Sequence, residues 1–232
     1  MVLSAAMGTV AGFGIALLLS PVLAILYDPI TAVLTVTTFG VFNAVIALSG
    51  DTLIDPRPRA YSSDLFRLWF GAALATIPTA LLLTWLPQRL ITGALSIFVL
   101  ASATLILRGY RPQLAGRRGT AVGAGALSQF ANVLSGVGGP PIILYALASD
   151  WEPLRTRTTQ QMYSVPVNII TVITVSLATD ARAVWPLVVL GGLTTVAVLP
   201  IRARIASRTV YRLILMLALA AGVLAGIRAL LG

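Results

Sequence analysis

Eight apolar segments fill the 232-residue chain almost end to end, near 1–27, 30–50, 66–86, 88–108, 119–149, 157–179, 183–201 and 208–231. Most approach the length of about 20 residues that a helix needs to cross roughly 30 Å of hydrocarbon. No water reaches the backbone there, so each crossing segment must satisfy its own N–H and C=O groups as a helix. The expected fold is therefore an all-α polytopic membrane protein without a soluble domain. Composition agrees: 10% of residues are charged, against about 25% in soluble domains. The expected setting is the lipid bilayer of a cell membrane, the bacterial inner membrane, crossed many times.

The net charge of +9 comes from 16 basic residues, all arginine. They lie between the apolar segments, where arginine sets orientation, so no nucleic-acid partner is expected. The first residues, "MVLSAAMGTVAGFGIALLLSP", lack the basic start of a signal peptide. Cys and His are absent, which excludes thiol chemistry and removes the commonest metal ligands. No metal and no cofactor are expected.

The chain compares with itself at a shift of 124 residues. Gly12 falls on Gly136, Gly14 on Gly138, Tyr27-Asp28-Pro29 on Trp151-Glu152-Pro153, Thr35 on Thr159, Phe39 on Tyr163 and Val41 on Val165. Pro78 answers Pro200 with a small slip. The expected organisation is one membrane domain of two repeats: 1–108, a linker at 109–118, and 119–232.

Each repeat opens with a broken apolar run, "AGFGIALLLSP" (residues 11–21) and "SGVGGPPIILY" (residues 135–145). Gly costs a helix interior about 1 kcal/mol and Pro about 3. If all eight segments cross, the arginines divide nine to seven between the two faces. If segments one and five are re-entrant hairpins instead, six spans remain, three per repeat, and the repeats are inverted. Arg89, Arg182 and Arg228 then lie on one face and the other 13 arginines opposite. An excess of arginine marks the cytoplasmic side. Hairpins are thus expected, with both termini away from the cytoplasm and the loops at 51–65, 109–118, 150–156 and 202–208 inside.

A helix that restarts at Pro140, where a missing N–H costs nothing, aims its positive end at the bilayer midplane. The half-helix after Gly14 does the same from the other face. The expected anion site comprises Gly12, Phe13, Gly14, Gly136, Gly138, Gly139 and Pro140, with polar side chains of Thr38, Asn43, Gln129, Asn132, Ser135, Gln161 and Asn168 around them. Ser128, Thr35, Thr37, Thr159, Gln160, Tyr163 and Ser164 lie in the same stretches. Tight helix packing at the glycines is the competing reading. No Asp, Glu or His sits within a span, so an intramembrane enzyme lacks its base and a side-chain proton relay lacks its titratable group.

The two Gly-rich breaks resemble those of the TauE/SafE family of sulfite and sulfonate exporters, across nearly the whole chain. "SGVGGPPIILY" is the more specific motif. In "AGFGIALLLSP" Gly12 and Gly14 are present and Ile15 and Ala16 follow. Thr38 and Asn43 are similar to the family's polar patch after the first break. The resemblance implies export of a small anion, sulfite or an organosulfonate. Alternating access between inverted repeats is the leading reading. An anion channel and a structural membrane protein stay open beside it. The anion, the coupling ion (proton or sodium) and the oligomeric state are not fixed by the sequence.

Overall fold

A chain that lives in hydrocarbon hides its polar side chains and exposes its apolar ones, and this protein does both. In the computed structural model, which describes residues 15–54, 62–110, 119–201 and 208–231, all regular structure is helical. The helices are α1 (Ile15–Leu26), α2 (Pro29–Ile54), α3 (Ser62–Trp85), α4 (Gln88–Leu107), α5 (Thr120–Ser135), α6 (Gly139–Ala148), α7 (Pro153–Ala178), α8 (Trp185–Val198) and α9 (Arg208–Leu231), with a 3-10 turn at Leu199–Ile201. Gln129, Gln161, Ser128, Thr159 and Thr195 are fully buried, while Phe66, Phe70, Leu74, Ile77 and Leu81 form an exposed apolar stripe along α3. A soluble protein would invert this arrangement. The stripe is a lipid-facing surface.

Among the described residues, four helices are long and apolar enough to cross a membrane: those covering Pro29–Gly50, Ser63–Trp85, Gln88–Leu107 and Leu154–Ala178. The six full spans expected from the sequence are therefore not all reproduced. α8 has 14 residues, about 21 Å of helix, because Pro200 falls in the 3-10 turn that ends it. A proline has no N–H for the helical ladder. Its sequence partner Pro78 lies inside the unbroken α3, so two matched prolines have different outcomes. α9 runs 24 residues, Arg208–Leu231.

α5 ends where the glycines predict. Gly136 caps it at φ 70°, and its N–H donates to Asn132 O at 2.8 Å. α6 then returns along α5. Ala121 near the start of α5 shares an apolar cluster with Leu65, Leu68, Ile142, Tyr145 and Trp151. A straight continuation would put Trp151 about 45 Å from Ala121 at 1.5 Å per residue. Residues 1–14, with the first break at Gly12, Phe13 and Gly14, lie outside the described residues.

The remaining helices pair across the molecule. α2 packs on α7, α4 on α9, α3 on α7 and α2 on α8. One end carries Tyr27, Trp85 and Trp185, all exposed, the aromatic placement of a membrane interface. At that end Arg228 donates to Ile25 O. Asp28 caps α2 there, its Oδ1 accepting from Ile30 N at 3.0 Å and Thr31 N at 2.9 Å.

The closest approach is between α3 and α5. A Cβ built on Gly71 would stand 1.9 Å from Val122 O, and one on Gly125 would stand 2.0 Å from Leu68 O. Small residues let membrane helices meet backbone to backbone. Gly71→Ala or Gly125→Ala must part these helices, and we expect each to cost about 1–3 kcal/mol, read as a lower melting temperature in detergent. Gly93, with nothing within 4 Å of its Cβ position, is the control: Gly93→Ala leaves stability equal or higher by up to about 1 kcal/mol.

Candidate functional site

Where the chain reverses, it encloses a cavity of about 70 Å³, several times the ~10–15 Å³ that one ordered water requires. Three groups build it. Gly136, Val137, Gly138, Gly139 and Pro140 come from the break, Ala16 and Leu17 from the described start of α1, and the rest from the facing sides of α2, α5 and α7. Among the described residues, no charged side chain lines it.

The break is held by its own neighbours. Ser128 Oγ, two turns back on α5, donates to Gly138 O at 2.5 Å, and Val137 N donates to Ser135 Oγ at 3.3 Å. Ser135 Oγ itself donates to Ala131 O at 2.6 Å. These bonds replace the helical ladder at a depth where an unpaired peptide group costs several kcal/mol. The first turn of α6 offers few donors. Pro140 and Pro141 have no N–H, which leaves those of Gly138 and Gly139 to meet a ligand, together with the positive end of the helix.

Behind the cavity runs a buried amide–hydroxyl chain across α3, α5 and α7. Gln129 Nε2 donates to Thr76 Oγ1 at 3.1 Å and to Thr171 Oγ1 at 3.2 Å. Asn132 Nδ2 donates to Thr171 Oγ1 and to Asn168 Oδ1, both at 3.0 Å. Both Asn132 amide hydrogens are thereby committed. With its oxygen held by Asn132, Asn168 turns its Nδ2 toward Gly40, where a Cβ would stand 2.6 Å from it. Only a glycine leaves that amide in place.

The hydroxyls in the wall are committed as well. Thr37 donates to Val33 O at 2.7 Å, Ser164 to Gln160 O at 2.7 Å and Tyr163 to Gly125 O at 3.3 Å. A hydroxyl that has donated its one hydrogen can only accept. Asn43 Oδ1 accepts from Thr195 Oγ1 at 3.2 Å, which leaves its NH₂ as a donor. The donors at the cavity thus include the amides of Asn168 and Asn43 and the N–H groups at the break, with the amides of Gln160 and Gln161 also in its lining. That set is neutral and suits a small anion.

Asn43, Asn132, Gly136, Gly138, Gly139, Pro140, Gln161 and Asn168 all line the cavity. Three residues expected at the site stand off it. Gln129 is in the network behind it, Ser135 bonds within the break, and Thr38 lines a different cavity, with Arg182 and Trp185. Each lies on the right helix but faces another way, since neighbouring positions diverge by about 100°. Ser128, Gly40, Thr37, Gln160, Tyr163 and Ser164, not among the site residues expected from the sequence, also stand at the wall. The 124-residue shift was the available signal: it pairs Gly40 with Ser164 and Thr37 with Gln161. Among the described residues no group of three or more acidic residues could hold a metal ion.

An all-helical bundle with a lipid-facing apolar surface and an uncharged polar cavity is a multi-pass membrane protein of the transporter kind. The model of the sulfite exporter TauE/SafE family matches residues 1–228, and the chain belongs to that family. The family is one of membrane transporters, not enzymes, of the sulfite and sulfonate type. No curated protein and no solved structure matches the chain.

Asn168→Asp tests the donor set with almost no change of shape. The oxygen facing Asn132 is kept, and the donor facing Gly40 becomes a carboxylate oxygen. We expect loss of sulfite binding by at least tenfold, from a lost charge-assisted bond worth about 1.5–3 kcal/mol and added repulsion, beside a modest drop in melting temperature from burying a carboxylate. Gly40→Ala, which displaces the same amide, should weaken binding in the same direction.

Proposed function

We propose that the protein exports a small oxyanion, sulfite or an organosulfonate, across the bacterial inner membrane by alternating access between two inverted repeats. The observation that carries this reading is the uncharged cavity at the helix break, whose free donors are amides and backbone N–H groups. An ionised oxyanion needs donors and a positive potential, and α6, which starts at the cavity, supplies both without a buried arginine.

The inverted repeat draws support from the lining itself. Ala16 and Pro140, Val36 and Gln160, Thr37 and Gln161, Gly40 and Ser164, and Asn43 and Val167 all line the cavity, and each pair is 124 positions apart. Helix pairing is consistent with it: α2 on α7 and α4 on α9 join like members of the two repeats, and α3 on α7 mirrors α2 on α8. The return of α6 along α5 is what a re-entrant hairpin requires. In this reading the end with Arg89, Arg182 and Arg228 faces away from the cytoplasm. The arginine-rich loops face in, as the positive-inside bias demands.

Liposomes loaded with unlabelled sulfite test the mode of transport. A carrier shows saturable uptake of labelled sulfite that rises with internal sulfite. Flux that is linear and indifferent to the trans side makes the protein a channel. A protein that moves no anion supports the structural reading instead.

Coupling follows from the residue types. Among the described residues no acidic side chain lines the cavity, and the chain has no His. Methanesulfonate, ionised throughout, should therefore be taken up at a rate nearly flat from about pH 5 to 8, the window in which His and perturbed carboxylates titrate. A steep pH profile with this substrate would mean that Asp28 or Glu152 reaches the site. Sulfite, a weak acid, can still carry a proton itself, and sodium can still use oxygen ligands at the break.

A further inference from the structure

A second cavity, about 560 Å³, opens at the other end of the α2–α7 groove and has no part in the site described above. It is bounded by Leu34 and Thr38 of α2, Val172 and Ser176 of α7, the connection at residues 179–184, and Trp185 at the start of α8. Thr38 is 8% exposed, and its Oγ1 is buried without a hydrogen-bond partner among the described residues. Arg182 lines the same cavity and makes no salt bridge among the described residues. The connection is anchored over the groove by Val184 N donating to Thr35 Oγ1 at 3.0 Å.

We infer that this cavity is a second, outward-facing anion site, a vestibule through which an organic sulfonate leaves the inner cavity. The inference rests on the transport reading above. Its chemistry is bipartite. Arg182 and the unpaired Thr38 hydroxyl supply donors for an oxyanion head, and Leu34, Val172 and Trp185 supply apolar surface for a carbon chain. The inner cavity and the vestibule are consecutive stations on the same two helices. On α7, Asn168 lines the inner cavity, and Val172 and Ser176, one and two turns further, line the vestibule. On α2, Thr37 lines the first and its neighbour Thr38 the second. Asp180 also borders the vestibule and offsets the charge of Arg182. Binding there is consequently weak, which suits a station that must release its ligand.

The oxyanion head could also belong to an anionic phospholipid, so the test starts in nanodiscs of phosphatidylcholine alone. Labelled propanesulfonate is the probe, and the number of binding sites per chain is the readout. The wild-type protein should bind two, one tightly and one weakly. Arg182→Gln should lose the weak site only, and Asn168→Asp the tight site only. Thr38→Val, which removes the hydroxyl at nearly constant volume, should weaken the weak site severalfold. A single site lost in Asn168→Asp and intact in Arg182→Gln overturns the vestibule and leaves the inner site standing. A single site lost in Arg182→Gln and intact in Asn168→Asp overturns the inner site instead. Two sites that both survive Arg182→Gln also overturn the vestibule. So does loss of the weak propanesulfonate site when phosphatidylglycerol is added, which assigns the cavity to a lipid headgroup instead.

Discussion

A helix broken inside an apolar bundle must find partners for the backbone groups it releases, and the rest of this structure is arranged around that requirement. At Gly136–Gly138 the partners are local. Gly136 N–H reaches Asn132 O, Val137 N–H reaches Ser135 Oγ, and Ser128 Oγ reaches Gly138 O. Gly136 takes a positive φ that a side chain would resist, and a Cβ there would also stand 2.9 Å from Ser20 Oγ. These bonds occupy the N–H groups of Gly136 and Val137 and the carbonyl of Gly138, and Gly138 and Gly139 themselves line the cavity.

The polar network behind the cavity has the same logic at the level of side chains. An amide buried in an apolar bundle is costly unless its groups are paired. Thr76, Gln129, Thr171, Asn132 and Asn168 settle that cost by bonding in sequence across three helices. Their pairing fixes which end of Asn168 faces Gly40. A site built from neutral amides then has a defined sense, donor toward the ligand, although every amide carries both a donor and an acceptor. The same commitments make the wall hydroxyls acceptors only, so the selectivity of the cavity is set one layer back from its surface.

Much of this was legible in the sequence. Segment lengths placed the helices, and the glycines and prolines of residues 135–145 placed the break to within a few residues. Asn132 and Asn168 stood out because amides in apolar runs need partners. The direction in which a residue faces was not legible. Thr37 and Thr38 are neighbours of the same type, yet one lines the inner cavity and the other the vestibule. Gln129 and Asn132 lie one turn apart, yet only the second reaches the cavity. Gly40 reads as an ordinary helix glycine until Asn168 is placed against it. Pro78 and Pro200 match in sequence but sit in a continuous helix and a 3-10 turn, so the residue type alone did not tell which helix would end.

Transport as proposed requires the anion to sit at the break among the amides. Selenite, a heavier analogue of sulfite, reports its own position by anomalous scattering. Crystals of the protein soaked with selenite should show one strong anomalous peak within hydrogen-bond distance of the N–H groups of Gly138 and Gly139 and of Asn168 Nδ2. Density for selenite elsewhere in the bundle, with this cavity empty of it, would contradict the account.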